Sequence, residues 1–175
     1  MLIGLSGYKQ SGKDALADAL VDLGFTKVGM SDVLHDCMLI LNPIVRVKNG
    51  HVERYAEICE QIGYVSAKEV PEVRRLLQVF GTDVGRAMLG EDVWVDAMAR
   101  KLDAMDGDIV VTGVRFPNEA RLVEAQGTLI RVERPGFTGD GHASEHGLDD
   151  WNFTQIVAND QDLDHLRHVA RGLAS

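Results

Sequence analysis

A chain of 175 residues, 45 % hydrophobic and 26 % charged, has the size and composition of one globular domain with a real core. Its formal net charge of −9 argues against a broad nucleic-acid footprint, which needs a basic face, and no apolar stretch approaches membrane-spanning length. Cys37 and Cys59 have neither metal-type spacing nor a disulfide framework, so a reduced, cytoplasmic setting is the default expectation.

The apolar run Leu2-Ile3-Gly4-Leu5 predicts a short strand that leads into a glycine turn, and it is not expected to act as a signal peptide. Gly7 to Asp14 then read Gly-Tyr-Lys-Gln-Ser-Gly-Lys-Asp, the phosphate-cradling pattern G-x-x-x-x-G-K with Asp14 where Ser or Thr is usual. The amphipathic segment Ala15 to Leu23 follows. A strand, a glycine-rich turn and a helix start aim backbone N–H groups and the positive helix end at one anion. Gly7, Lys9, Gln10, Ser11, Gly12, Lys13 and Asp14 therefore form a candidate phosphate loop, with Lys13 reaching the outer phosphates. Asp14 has two compatible roles, holding a magnesium ion through water or capping the helix.

A short strand is expected at Thr26 to Val28, and Ser31 or Asp32 can cap a helix that runs to about Leu41 and stops at Asn42-Pro43. Asn49-Gly50, between Ile44–Val47 and His51-Val52, predicts a tight turn or small hairpin. Helical periodicity returns over Tyr55 to Ile62 and from Pro71 to about Leu89, where Val73, Leu76, Leu77, Phe80 and Val84 share one face across a Gly81-Thr82-Asp83 interruption. Arg74, Arg75 and Arg86 on this stretch either decorate a solvated face or supply cations to a bound anion. Asp92 can cap a further helix, and Trp94 near its start reads as packed structure.

Ile109 to Thr112 is β-branched and suits a buried parallel strand. Arg115 follows it, at the strand's carboxyl end, where it can meet a phosphate or pair with Glu119. Pro117-Asn118-Glu119 opens a helix to about Ala125, with Gly127 as its stop. A strand is expected over Thr128 to Glu133, then Arg134-Pro135-Gly136 and a polar loop to Asp150, a strand within Phe153 to Ala158 and a helix over Asp162 to Leu173. His142 to His146 fits H-x-x-E-H, but Gly139, Gly141 and Gly147 disfavour the helix that zinc catalysis needs. There is no G-x-S-x-G elbow and no Asn-Lys-x-Asp guanine-reading tetrad.

Strands alternating with helices imply an α/β fold with a parallel sheet wrapped on both faces. One domain is expected over residues 1–175, with a helical insertion at about 31–105 and a lid or loop at about 135–150.

Several segments together resemble the bacteriophage deoxynucleoside monophosphate kinases, within the P-loop nucleotide kinases. They are Leu5-Ser6-Gly7 through Ser11-Gly12-Lys13-Asp14, Val73-Arg74-Arg75-Leu76-Leu77-Gln78 into Gly81-Thr82-Asp83, Asp92-Val93-Trp94-Val95, Val114-Arg115-Phe116-Pro117-Asn118-Glu119, Val132-Glu133-Arg134-Pro135-Gly136, His142-Ala143-Ser144-Glu145 and Val157-Ala158-Asn159-Asp160. The resemblance implies a three-layer P-loop sandwich with an acceptor-binding insertion. It implies transfer of the γ-phosphoryl group of ATP to a deoxynucleoside 5′-monophosphate, with Mg2+. Gly7, Gly12, Lys13 and Asp14 would bind donor phosphates and metal, and Lys9 would face the acceptor phosphate. Arg75, Trp94, Arg115 and Glu119 would line the acceptor site, and Arg134 would lie near the lid. A homodimer and, for a phage-encoded chain, a host-cytoplasmic location are implied in the same way.

Two positions depart from the family pattern: Gly113-Val114-Arg115 replaces Asp-x-Arg, and Val33-Leu34-His35 replaces Pro-Leu-Lys. A dianionic monophosphate needs no general base, so Lys13, Arg115 and Arg75 are the expected catalytic groups, acting by charge neutralisation and positioning. The alternatives are another small-metabolite kinase, of dephospho-coenzyme A or phosphomevalonate type, or a non-catalytic nucleotide-binding module, the latter motivated by Gly113.

Overall fold

In chain order the strands are β1 (Leu2–Ser6), β2 (Thr26–Gly29), β3 (Ile44–Arg46), β4 (Val52–Arg54), β5 (Ile109–Thr112), β6 (Thr128–Glu133) and β7 (Gln155–Ala158). The helices are α1 (Lys13–Val21), α2 (Asp32–Leu41), α3 (Tyr55–Ile62), α4 (Tyr64–Ala67), α5 (Pro71–Gln78), α6 (Val93–Asp103), α7 (Pro117–Gln126) and α8 (Leu163–Leu173). A π-helical stretch, Val79–Leu89, continues α5. This computed structural model describes residues 1–47, 50–138 and 146–175. The chain forms two units, residues 1–30 with 102–175 and residues 31–101.

The first unit is built on a parallel sheet in the order β2-β5-β1-β6-β7. β1 is central because all five of its residues are buried, as a strand with a neighbour on each edge and helices on both faces requires. Its register sets Ile3 against Val110 of β5 and Thr128 of β6. Side chains alternate between the faces. Ile3, Leu5, Val110, Ile130 and Val132 share a core with Leu16 and Leu20 of α1 and Leu166 and Ala170 of α8. Each such buried aliphatic side chain stabilises the unit by about 1.5–3 kcal/mol. Gly4 faces the other way, and a Cβ there would lie 2.4 Å from Val123 Cγ1 of α7. Helices thus cover both faces, as the alternation of elements requires. Gly127 ends α7 as expected, although not through a left-handed backbone. Its φ of −173° is extended backbone, and glycine is needed because a Cβ would lie 2.0 Å from the Leu2 carbonyl oxygen.

The second unit has its own core of Met38, Val45, Tyr55, Ile58, Ala67, Val73 and Leu77. α2 ends at Asn42, whose left-handed backbone (φ 43°) stops the helix and whose Oδ1 accepts the Ala56 N–H at 3.0 Å. β3 and β4 form the expected antiparallel hairpin, although Asn49 of its turn lies outside the described residues. The short helix α4 has too few residues to show a period and is not foreseen from the sequence. The helix expected from Pro71 to Leu89 is α-helical only to Gln78. Beyond it the Gly90 N–H donates to the Gly85 carbonyl, an i to i−5 bond, at 3.1 Å. Trp94 explains the widening. Its Nε1–H donates to the Gly81 carbonyl at 2.7 Å, and a Cβ on Gly85 would lie 2.5 Å from its indole.

Candidate phosphate-binding site

The turn between β1 and α1 lies at the carboxyl end of the central strand, flanked by the chain leaving β5 and β6, the place where open α/β sheets hold ligands. Three of its residues have positive φ: Gly7 (132°), Gln10 (64°) and Gly12 (102°). Close packing also demands the two glycines. A Cβ on Gly7 would lie 2.2 Å from the Val132 carbonyl oxygen, and one on Gly12 would lie 2.3 Å from Asn159 Nδ2. The Tyr8 carbonyl accepts the Ser11 N–H at 3.1 Å and the Lys13 ammonium at 2.6 Å. The Ser11 carbonyl accepts Asn159 Nδ2–H at 2.9 Å, and the Asn159 N–H in turn donates to the Glu133 carbonyl at 2.6 Å. Ser11 is buried, and its Oγ has no hydrogen-bond partner among the described residues. α1 starts at Lys13, so its free N–H groups and positive end point into the turn.

Lys9 and Gln10 are exposed on the outer side of the turn. Asp14 stands in the first turn of α1, where a negative charge complements the helix end, with its side chain 83 % exposed and Lys27 Nζ 3.7 Å away. Arg134 leaves β6 with its guanidinium 4.7 Å from the Phe137 ring centroid. A groove of about 580 Å3 runs beside the turn, lined by Gly12, Arg134, Asn159, Gln161, Asp162 and Arg167 among others.

Arg115 follows β5 and is exposed. Its backbone N–H and that of Phe116 both donate to Glu119 Oε2, at 2.8 and 3.2 Å. Glu119 is only 5 % exposed, so this carboxylate anchors the loop that carries Arg115. Gly113 has φ +76°, and a Cβ there would meet nothing within 4 Å.

In the second unit, Arg75 makes a forked pair with Glu72, Nε at 2.8 Å and Nη2 at 2.7 Å, on a solvent face of α5. The pair holds the Glu72 carboxyl below and the Arg75 guanidinium above their ordinary values. Trp94 is buried and tied to the π-helical stretch, with the Phe80 ring 5.6 Å away. His35 stacks on Tyr64 at 3.8 Å, and its Nδ1 lies 2.8 Å from the Tyr55 hydroxyl. Burial pushes its pKa below the ordinary histidine value.

Residues 139–145, and with them the middle of the expected lid and most of the H-x-x-E-H pentad, lie outside the described residues. Among the described residues, no group of three or more His, Cys, Asp or Glu side chains is arranged to hold a metal ion. His146, the described end of the pentad, pairs through Nδ1 with Asp149 Oδ2 at 2.7 Å.

Asn159, Tyr8 and Asp149 are residues around the turn that sequence reasoning misses as functional. Asn159 had a usable signal, since it directly follows the last strand of a parallel sheet.

The family model described as deoxynucleotide monophosphate kinase matches residues 21–169. The chain belongs to the deoxynucleotide monophosphate kinase family. The match begins beyond the turn, so the phosphate-loop assignment in this family member rests on the Gly7–Asp14 motif and on the geometry above. An Acanthamoeba polyphaga mimivirus protein bearing the deoxynucleotide monophosphate kinase name is 33 % identical over 171 residues, covering 83 % of this chain and 80 % of its own length. A deoxynucleotide monophosphate kinase of Escherichia phage RB69 is 31 % identical over 66 % of this chain and 49 % of its own. The deoxynucleoside-5′-monophosphate kinase of Escherichia phage T5 is 29 % identical over 49 % and 38 %. Among solved structures, TT1252 from Thermus thermophilus aligns with TM-score 0.55 at 16 % identity, covering 99 % of this chain and 96 % of its own. Shikimate kinase from Aquifex aeolicus aligns with TM-score 0.52 at 11 % identity over 99 % and 96 %. At these identities the two structures bear on the fold of the family member alone, an α/β sandwich shared with P-loop kinases.

Proposed function

We propose that this protein transfers the γ-phosphoryl group of ATP to a deoxynucleoside 5′-monophosphate, giving the diphosphate and ADP. The observation that carries this reading is the Gly7–Asp14 turn, folded at the end of the central strand with Lys13 and the start of α1 converging on one point, in a chain of the deoxynucleotide monophosphate kinase family. The turn's N–H groups and Lys13 bind the β- and γ-phosphates of the donor. The groove beside Gly12, with Arg134 at its rim, takes the rest of the donor nucleotide. Lys9 and Arg115 receive the acceptor phosphate from the first unit, and Glu119 fixes the backbone of the Arg115 loop. In the second unit, Arg75 with its Glu72 pair is a candidate phosphate cation in its own right, and Trp94 holds the π-helical stretch in shape.

The acceptor phosphate is already an anionic nucleophile near neutral pH, so these cations act by neutralising repulsion and aligning the in-line attack. Magnesium usually takes one or two carboxylates and completes its shell with phosphates and water. The single exposed carboxylate of Asp14 in the first turn of α1 fits that requirement, and the ion would supply charge stabilisation on the donor phosphates. This setting needs no membrane and no nucleic acid, and it accords with a cytoplasmic, host-cell location. Two copies of the chain acting as a homodimer would serve the same chemistry.

The test is ADP release from magnesium-ATP with dTMP, dGMP, dCMP, dAMP and their ribose counterparts as separate acceptors. Stimulation by one or more deoxynucleotides, lost in Lys13→Ala without loss of folding, is the expected result. ATP binding with no stimulation by any of them would sink the assignment.

A further inference from the structure

Within the phosphate loop one carbonyl carries two of the bonds that shape it. Gly7, Gln10 and Gly12 all sit at positive φ, and between them the Tyr8 carbonyl carries both the Ser11 N–H and the Lys13 ammonium. A rotation of the Tyr8 peptide would release both bonds at once. Contacts from outside the turn add to these bonds. One clamp is Asn159, which holds the Ser11 carbonyl from the end of β7.

The other lies on the opposite side of the turn. The Tyr8 hydroxyl donates to Asp149 Oδ1 at 2.7 Å, 141 residues away in sequence. The same oxygen accepts Arg131 Nη2–H at 3.1 Å, while Nη1–H donates to the Leu148 carbonyl at 3.2 Å. Arg131 is 8 % exposed, lies 4.9 Å from the Tyr8 ring centroid and 5.4 Å from that of Phe153, and pairs through Nε with Glu133 at 2.9 Å. His146 occupies Asp149 Oδ2, with its ring 5.4 Å from the Tyr8 ring. Burying a guanidinium requires such matched partners, and one of the two carboxylates that pair with it here, Asp149, also holds the phosphate-loop tyrosine.

We propose that Asp149, held by the buried Arg131, is a positioning residue for the donor site: it pins the Tyr8 side chain, so that the Tyr8 carbonyl presents Lys13 to the donor phosphates. This rests on the donor-site reading above. None of the network's members needs to touch a substrate. Its effect falls on ATP, because Lys13 and the turn N–H groups move with Tyr8.

Three proteins with Tyr8→Phe, Asp149→Asn and both changes, together with Lys13→Ala, decide it. ATP KM, directly measured ATP affinity, deoxynucleotide KM and the unfolding temperature are read for each. Tyr8→Phe deletes one hydroxyl and leaves the Asp149–Arg131 pair in place, so it keeps the test informative if Asp149→Asn folds poorly. The expected result is ATP KM and Kd raised about 10- to 150-fold by Tyr8→Phe, the range for losing one hydrogen bond to a charged partner. Deoxynucleotide KM rises less than ATP KM, because of the proposed acceptor groups only Lys9 adjoins Tyr8 in the chain. The double variant is no worse for ATP than the more affected single one, because both act through one bond. Unchanged ATP affinity in Tyr8→Phe overturns the proposal, and so does an equal rise in both KM values with a lowered unfolding temperature, which is the mark of a merely structural role. An inactive Lys13→Ala beside a normal Tyr8→Phe leaves the donor-site reading standing and removes only the proposal. A fully active Lys13→Ala removes both.

Discussion

Gly12 shows how one position carries backbone, packing and function together. With φ +102° and Asn159 Nδ2 2.3 Å from where a Cβ would be, Gly12→Ala combines conformational strain with a clash against a clamp of the phosphate loop. The expected cost is about 1–3 kcal/mol of stability, with ATP binding weakened well beyond any effect on the deoxynucleotide. Calorimetric unfolding and ATP titration check the two halves. Glu119 is a different case, a buried carboxylate receiving two backbone N–H groups. Glu119→Ala strands both donors, at about 1–3 kcal/mol. It also frees the Arg115 loop, so the acceptor KM is expected to rise more than the ATP KM in steady-state kinetics. The turn at Gly7 and Gly12 was legible in the sequence because the motif that encodes it is local. The contacts of Tyr8, Arg131 and Asp149 were not, because they join residues far apart in the chain, and no spacing encodes a tertiary hub. The place of Glu119 at the start of α7 was legible but its geometry was not, since nothing in the sequence says whether a carboxylate faces ligand or backbone.

Among the elements, the π-helical stretch departs most from what periodicity foretold. Val73, Leu76 and Leu77 fit one helical face, but the widening beyond Gln78 depends on the Trp94 indole binding a carbonyl thirteen positions earlier in the chain. Gly85→Ala is expected to displace that indole, because the new Cβ would lie 2.5 Å from the ring. The second unit should lose about 1–3 kcal/mol as overpacking cases do, and Trp94 fluorescence should shift before global unfolding in a denaturant titration. An unshifted spectrum with wild-type stability would show that Trp94 does not set the stretch. The parallel sheet itself was legible almost strand for strand, because Ile109–Thr112 and Thr128–Glu133 are apolar runs bounded by turn residues. The end of α7 was legible in place but not in cause. Gly127 is there for the passing β1 backbone rather than for a left-handed cap.

At the level of the whole molecule, a nucleotide kinase with net charge −9 must hold its phosphate-binding cations by structure rather than by overall field. Two titrating groups give its stability a pH signature. Burial lowers the His35 pKa, so the native state favours the neutral ring. That contribution is present above the ordinary histidine value of about 6.5 and is lost as pH falls below it. Burial pushes the Asp149 carboxyl up, but hydrogen bonds from Tyr8, His146 and Arg131 outweigh it and leave its pKa depressed. Its contribution is present above the ordinary aspartate value near 4 and is lost as pH falls through the depressed one. The unfolding temperature is therefore expected to fall in two stages on acidification, the first removed by His35→Gln and the second by Asp149→Asn.

The central claim is the transfer itself. ATP labelled in the γ-phosphate, incubated with magnesium, a single deoxynucleoside monophosphate and either the wild-type protein or Lys13→Ala, should deliver its label to the deoxynucleoside diphosphate with the wild type alone. Label released only as inorganic phosphate, or transfer that survives in Lys13→Ala, would contradict it.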